Sequence, residues 1–184
     1  MQRLFTAIEI PDDIRDMLGD LDAPLPGARW IDIDDMHLTL RFFGDLDGRT
    51  ARDLADLLAG IHQEPFELHI KGLGAFGGRE PRTLYAAVAA NEPLERLQRT
   101  VDRAAMAAGL PPEPRRYTPH ITLARLRYGR DTVIAHYLQH NARFEAPPFL
   151  VGSFSLFSAK TGGGGPYVVE EEFPFVGLAY QDDE

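Results

Sequence analysis

Met36-His37-Leu38-Thr39-Leu40-Arg41-Phe42 and Pro119-His120-Ile121-Thr122-Leu123-Ala124-Arg125 are the two stretches whose reading decides the fold of this 184-residue chain. Each carries His-x-Thr-x inside an apolar run with an arginine nearby. Strand side chains alternate between faces. As strands, the two stretches turn His37 with Thr39, and His120 with Thr122, to one side. Leu38, Leu40, Ile121 and Leu123 turn to a core on the other. With six His and nine Thr in the chain, random placement gives about 0.3 such pairs, and two by chance about 3% of the time. The repeat is therefore read as a duplicated functional element. Two imidazoles, each with a hydroxyl one pleat away, can supply an acid and a base to one phosphodiester without a metal.

Outward from these runs, the pattern alternates strands and helices. Arg3 to Ile10 reads as a strand stopped by Pro11, followed by a short helix through Ile14, Met17 and Leu18. Asp22 to Gly27 is a loop by its proline and glycine content. The first motif strand runs from Met36 to Phe43 and ends at Gly44. Leu54, Leu57, Leu58 and Ile61 have helical spacing within Thr50 to Ile61. Strands are expected over Phe66 to Leu73 and Thr83 to Ala89, with a turn region from Gly74 to Pro81. Leu94, Leu97, Val101, Ala104, Ala105 and Ala108 mark a helix that Gly109 and Pro111-Pro112 terminate. The second motif strand spans Thr118 to Tyr128. A short helix over Asp131 to Gln139 and strands near Phe149 to Ser158 and Tyr167 to Phe175 come next, and Gln181 to Glu184 reads as a frayed end. Each motif strand thus sits among helices and hairpin strands. The expected class is α+β, predominantly antiparallel, with two pseudo-symmetric lobes in one unit covering residues 1–184.

Composition bounds the function. The hydrophobic share is 44% and the charged share 26%, as in ordinary globular proteins. Cysteine is absent, which excludes disulfides and thiolate metal sites and fits a reducing compartment. No run approaches the roughly 18 apolar residues of a membrane span, and the N-terminus lacks a signal-peptide pattern. A cytoplasmic monomer with no membrane or protein partner is the expectation. The net charge of −9 opposes coating of long nucleic acid. Yet Arg115, Arg116, Arg125, Arg127 and Arg130 fall in one stretch without a carboxylate, which suits a small anion or one nucleic-acid end.

Other signals are weaker. His136 and His140 have the four-residue spacing of helical metal ligands, but no glutamate follows His136 and no third ligand is apparent. Neither a metal nor a cofactor is expected. Gly162 to Gly165 lacks the Lys-Ser/Thr and the helix of a phosphate cradle, and reads as a loop near the cleft. Phe42, Phe43, Phe76 and Tyr167 are aromatic candidates for stacking on a base, although core packing accounts for most such residues.

The chain resembles the 2H phosphoesterase superfamily, and within it the RNA 2′,3′-cyclic phosphodiesterases historically called 2′-5′ RNA ligases. The resemblance runs from Arg3-Leu4-Phe5-Thr6-Ala7-Ile8 through Trp30, the first motif, Gly72-Leu73-Gly74-Ala75-Phe76, Arg116-Tyr117-Thr118 with the second motif, to Gly165-Pro166-Tyr167. It implies a bilobal fold with both motifs facing a central cleft. It also implies metal-free hydrolysis of RNA ends or small oligonucleotides bearing a cyclic phosphate, giving a 2′-phosphomonoester. By resemblance His37 is the proton donor and His120 the acceptor; the residues alone leave that assignment open. Thr39, Thr122 and Arg125 would hold the phosphate, and Arg41, Phe42 and Tyr167 would contact the nucleotide. Strict alternation sets Arg125 opposite His120, so it reaches the cleft only from a strand end or a bulge, whereas Arg41 has the parity of His37. Weak 2′-5′ ligation is the reverse of the same chemistry. Alternatives are a cyclic phosphodiesterase for small nucleotides or ADP-ribose cyclic phosphate, and a non-catalytic RNA-end-binding module.

Overall fold

The computed structural model describes residues 1–127 and 130–176. In chain order the elements are β1 (Gln2–Glu9), α1 (Asp12–Gly19), β2 (Ala28–Trp30), a 3-10 turn (Ile33–Asp35), β3 (His37–Leu46), α2 (Gly48–Ala59), β4 (Phe66–Leu68), β5 (Ile70–Phe76), β6 (Thr83–Val88) and α3 (Glu92–Ala107). They continue as β7 (His120–Leu126), α4 (Asp131–His140), β8 (Phe149–Val151), β9 (Ser153–Ala159) and β10 (Val168–Pro174). One four-stranded sheet has the order β10-β9-β1-β3, a second the order β2-β7-β6-β5, and β4 pairs with β8. Every pairing is antiparallel. The class is α+β, with one motif strand in each of the two larger sheets and β3 packed against β7.

Local chemistry accounts for the elements. The Asp47 side chain accepts the Thr50 N–H at 2.8 Å and starts α2, and Asn91 does the same for Leu94 at 3.0 Å in α3. Along α3, Leu94, Leu97, Val101, Ala104 and Ala105 form one buried stripe. Leu38, Leu40, Ile121 and Leu123 are at most 2% exposed, so both motif strands turn the expected side to the core.

Several boundaries differ from the sequence reading. The stretch expected as one strand over Phe66 to Leu73 divides at His69, whose ring faces Glu145 at 2.8 Å. β4 then pairs with β8, while β5 enters the second sheet and runs on to Phe76. The expected turn glycine Gly74 is instead a strand residue, because the Tyr85 ring lies against its backbone where a Cβ would overlap it. Phe149 to Ser158 likewise divides at Gly152 into β8 and β9. β3 passes through Gly44, which bends at φ 81° rather than ending the strand. The three-residue β2 and the 3-10 turn carry too short a pattern to read. The expected strand end at Tyr128 and the acidic end Gln181 to Glu184 lie outside the described residues.

Candidate active site

The two motif strands share an irregularity that alternation does not predict. Between β1 and β3, Ala7 is opposite Thr39 and Thr6 opposite Arg41, so Leu40 is an extra residue. Between β6 and β7, Tyr85 is opposite Thr122 and Leu84 opposite Ala124, so Leu123 is extra. Each strand therefore bulges directly after its Thr, and a bulge inverts the parity of the residues beyond it. Arg125 comes onto the face of His120 and Thr122 by this route. The same displacement corrects the expectation for Arg41, which turns inward and is only 6% exposed. Its guanidinium pairs with Asp102 of α3 and donates to the Pro111 carbonyl, and the residue lines the neighbouring cavity rather than the one between the histidines. Phe42, 51% exposed, takes the cleft position that Arg125 holds in the other strand.

A cavity of about 430 Å³ lies between the motif strands. His37, Thr39, His120, Thr122, Arg125, Phe42 and Tyr167 all line it, with Arg3, Arg115, Gly163 and Gly164. His136 and His140 border a separate depression beside Leu25 and Tyr137. Phe43 is buried in the core.

The histidines are held in matching ways. His37 Nδ1 lies 2.7 Å from the Asp35 carbonyl, and His120 Nδ1 lies 2.7 Å from the Thr118 carbonyl. A carbonyl only accepts, so each Nδ1 carries the proton and donates it. Each Nε2 is left as a lone pair in the neutral ring and an N–H in the cation, the two states of a base and an acid. These anchors lie two residues before each His and form with the local chain path, so no side-chain pattern announces them.

Aromatic rings complete each seat. Phe5 lies 4.9 Å and Tyr167 5.1 Å from the His37 ring, and Phe76 lies 4.9 Å and Tyr85 5.5 Å from that of His120. Phe5 is opposite Phe42 on the neighbouring strand, so pleat parity on β1 is the signal that could have identified it. Tyr117 Oη donates to the Thr39 carbonyl at 2.9 Å, tying the segment before the second motif to the first motif strand. Burial pushes that phenol well above its ordinary value, so it stays a donor.

Burial lowers the pKa of His37, partly offset by the Asp35 carbonyl and carboxylate, while His120 and Arg125 lower it further. Burial also lowers His120, partly offset by the Thr118 carbonyl and reinforced by Arg125. Arg125 thus acts on both rings from one position, besides donating to Thr83 Oγ1 at 3.3 Å. The site combines two oriented imidazoles, two hydroxyls and a guanidinium around a space of nucleotide dimensions.

A family model described as the 2'-5' RNA ligase superfamily matches residues 27–163, a stretch that includes both motifs. The chain belongs to that superfamily. It is 31% identical over 177 residues to the RNA 2',3'-cyclic phosphodiesterase of Bacillus subtilis, across 93% of this chain and 94% of that one. It is 36% identical over 110 residues to the protein of the same name from Geobacillus stearothermophilus. That match takes in 58% of this chain and 35% of the Geobacillus protein's length. In fold, the chain matches E. coli LigT complexed with 3'-AMP with a TM-score of 0.75 at 24% identity, over 95% of this chain and 98% of that one. Its two four-stranded antiparallel sheets and flanking helices are the α+β architecture of the superfamily.

Proposed function

We propose that this superfamily member hydrolyses 2′,3′-cyclic phosphate ends of RNA to 2′-phosphomonoesters by two-histidine acid–base catalysis. The observation that carries the mechanism is the pair of Nδ1–H···O=C anchors, which direct both Nε2 atoms to proton transfer within one cavity. The names of the relatives, RNA 2',3'-cyclic phosphodiesterase, supply the substrate class.

In the proposed step, neutral His120 accepts a proton from water as the water oxygen bonds to phosphorus. The P–O3′ bond breaks, its electron pair goes to O3′, and protonated His37 gives that oxygen a proton. One proton enters the pair and one leaves it, so the histidines exchange states over the cycle. His37 is assigned as the acid because the Asp35 carboxylate favours its cation, while the causes acting on His120 include no carboxylate. Thr39 and Thr122 donate to the non-bridging oxygens, and Arg125 offsets the charge that builds up there. Phe42 and Tyr167 contact the nucleotide. The working unit is residues 1–184 as one catalytic domain, a cytoplasmic monomer with each lobe contributing one motif; size-exclusion chromatography tests the oligomeric state.

The test compares cyclic-phosphate-ended RNA with 2′,3′-cyclic AMP, with and without EDTA, beside His37→Ala and His120→Ala. The expected result is a 2′-phosphate product, activity unchanged by EDTA, and loss of activity in either variant. EDTA-sensitive turnover would overturn the metal-free mechanism, and a 3′-phosphate product would overturn protonation at O3′. RNA-end binding without product would favour a binding module.

A further inference from the structure

A second cavity of about 590 Å³ adjoins the catalytic one on the His120 side. The two share Thr39, Phe42, Arg115, His120 and Arg125, so they form one continuous groove. The outer part brings Arg82 and Arg116 to a wall that already holds Arg115 and Arg125. Among the described residues its one carboxylate is Glu113, which accepts the backbone N–H of Arg115 at 3.2 Å. Among the described residues Arg115 and Arg116 have no ion-pair partner, and Arg82 has only Glu80 at 3.7 Å with both side chains in water. That pairing is weak. Arg41 also lines this cavity but is paired with Asp102, so four further guanidinium groups, in a chain of net charge −9, make it a local anion site.

On the His37 side the charge reverses. A cavity of about 510 Å³ there is lined by Glu9, Asp12, Asp34 and Asp35, and Arg15, its one arginine among the described residues, pairs with Asp12. A polyanion leaving the catalytic cavity is repelled on that side and attracted on the other. A 2′,3′-cyclic phosphate closes the 3′ end of a strand, so the chain continues only through the 5′ oxygen of that nucleoside, to an internucleotide phosphate. Phe42, half-exposed where the two cavities meet, offers a stacking face beside that path.

We propose that the outer cavity binds the internucleotide phosphate immediately 5′ to the cyclic end, making an oligonucleotide end the preferred substrate over a cyclic mononucleotide. This deepens the proposed cyclic phosphodiesterase activity and rests on it. Arg82 and Arg116, which line only the outer cavity, hold the added phosphate, and Arg115 bridges the two sites.

The experiment measures kcat/KM for 2′,3′-cyclic AMP and for the adenosine dinucleotide ending in a 2′,3′-cyclic phosphate, at two salt concentrations. Wild type, Arg82→Ala/Arg116→Ala and Arg82→Lys/Arg116→Lys are compared. The wild type is expected to favour the dinucleotide by about tenfold, the scale of one charge-assisted contact. Its salt dependence should be steeper for the dinucleotide, by about 0.7 in log–log slope per phosphate held. The alanine variant should reduce the dinucleotide-to-mononucleotide ratio to near unity, and the lysine variant should restore most of it. Equal wild-type kcat/KM for both substrates, or a ratio unchanged in the alanine variant, would overturn the subsite while leaving the cyclic phosphodiesterase reading intact. Failure to hydrolyse either substrate would overturn that reading and the subsite with it.

Discussion

Replacing Asp102 by alanine tests the link that the bulge at Leu40 creates. Arg41 is 6% exposed, and its cation is balanced by Asp102, whose side chain is 24% exposed. Removing one member of a buried ion pair leaves an uncompensated charge, a loss of about 3–5 kcal/mol. Arg41 keeps the Pro111 carbonyl, and water can reach the Asp102 site. The low end therefore applies, about 3 kcal/mol for Asp102→Ala, or roughly 6–12 °C in Tm for a chain of this length. Asp102 also accepts the Glu113 N–H at 3.4 Å, so the variant should loosen the Pro111-to-Tyr117 segment and raise KM for an oligonucleotide. The double variant Arg41→Met/Asp102→Leu removes both charges and fills the space. It should lie within about 1 kcal/mol of wild type, because an apolar pair of similar volume replaces a buried ion pair at little loss. Urea unfolding followed by the fluorescence of Trp30, the only tryptophan, reads all three proteins. A loss below about 1 kcal/mol in Asp102→Ala would refute the buried-pair reasoning, as would a double variant less stable than the single.

Three further predictions concern the cleft. Burial lowers both imidazoles below 6.5 in the free protein, so the kcat/KM profile, which reports the free protein, should be a bell centred on the acid side of 6.5. The kcat profile should lie at higher pH, since bound phosphate favours both cations; a kcat/KM optimum above about pH 7.5 would contradict the shifts. Arg125→Met should lower kcat by about 10²–10³, the range for one preorganised charge donor. It should also move both limbs of the kcat/KM bell to higher pH, because Arg125 depresses both histidines; unmoved limbs would remove it from their vicinity. Gly74→Ala should drive Tyr85 off its position beside His120, destabilise the fold by about 1–3 kcal/mol and lower kcat by about tenfold or more. A change confined to KM would show that Tyr85 does not position the ring.

The parts of the site legible in the sequence were those set by single-strand periodicity. His37 with Thr39, and His120 with Thr122, occupy one face because period 2 dictates it, and the leucines and isoleucine behind them are buried for the same reason. The helices followed from their apolar stripes and, for α3, from the glycine and prolines that end it. A bulge, by contrast, is a property of two strands in register, and neither strand's own pattern marks the extra residue. That is why Arg41 carried the wrong parity and why Arg125 needed a bulge to reach the cleft. The breaks at His69 and Gly152 escaped for a related reason, since each divides a continuous apolar run between two sheets. The histidine anchors use backbone carbonyls, which have no sequence signature.

The matched bulges also bear on regiochemistry. A cleft with one His-x-Thr strand on each side offers a proton carrier at either end of a bound phosphate, and such a site by itself would accept a cyclic phosphate in either of two orientations, opening it at O2′ or at O3′. The fifth position after each histidine removes that degeneracy. One strand brings Phe42 and the other a guanidinium to the cavity, so under the proposed function a nucleotide with its base at one end and its charge at the other would fit in only one sense. On the proposed mechanism, the difference between Phe42 and Arg125 would let two similar proton carriers tell one ribose oxygen from its neighbour.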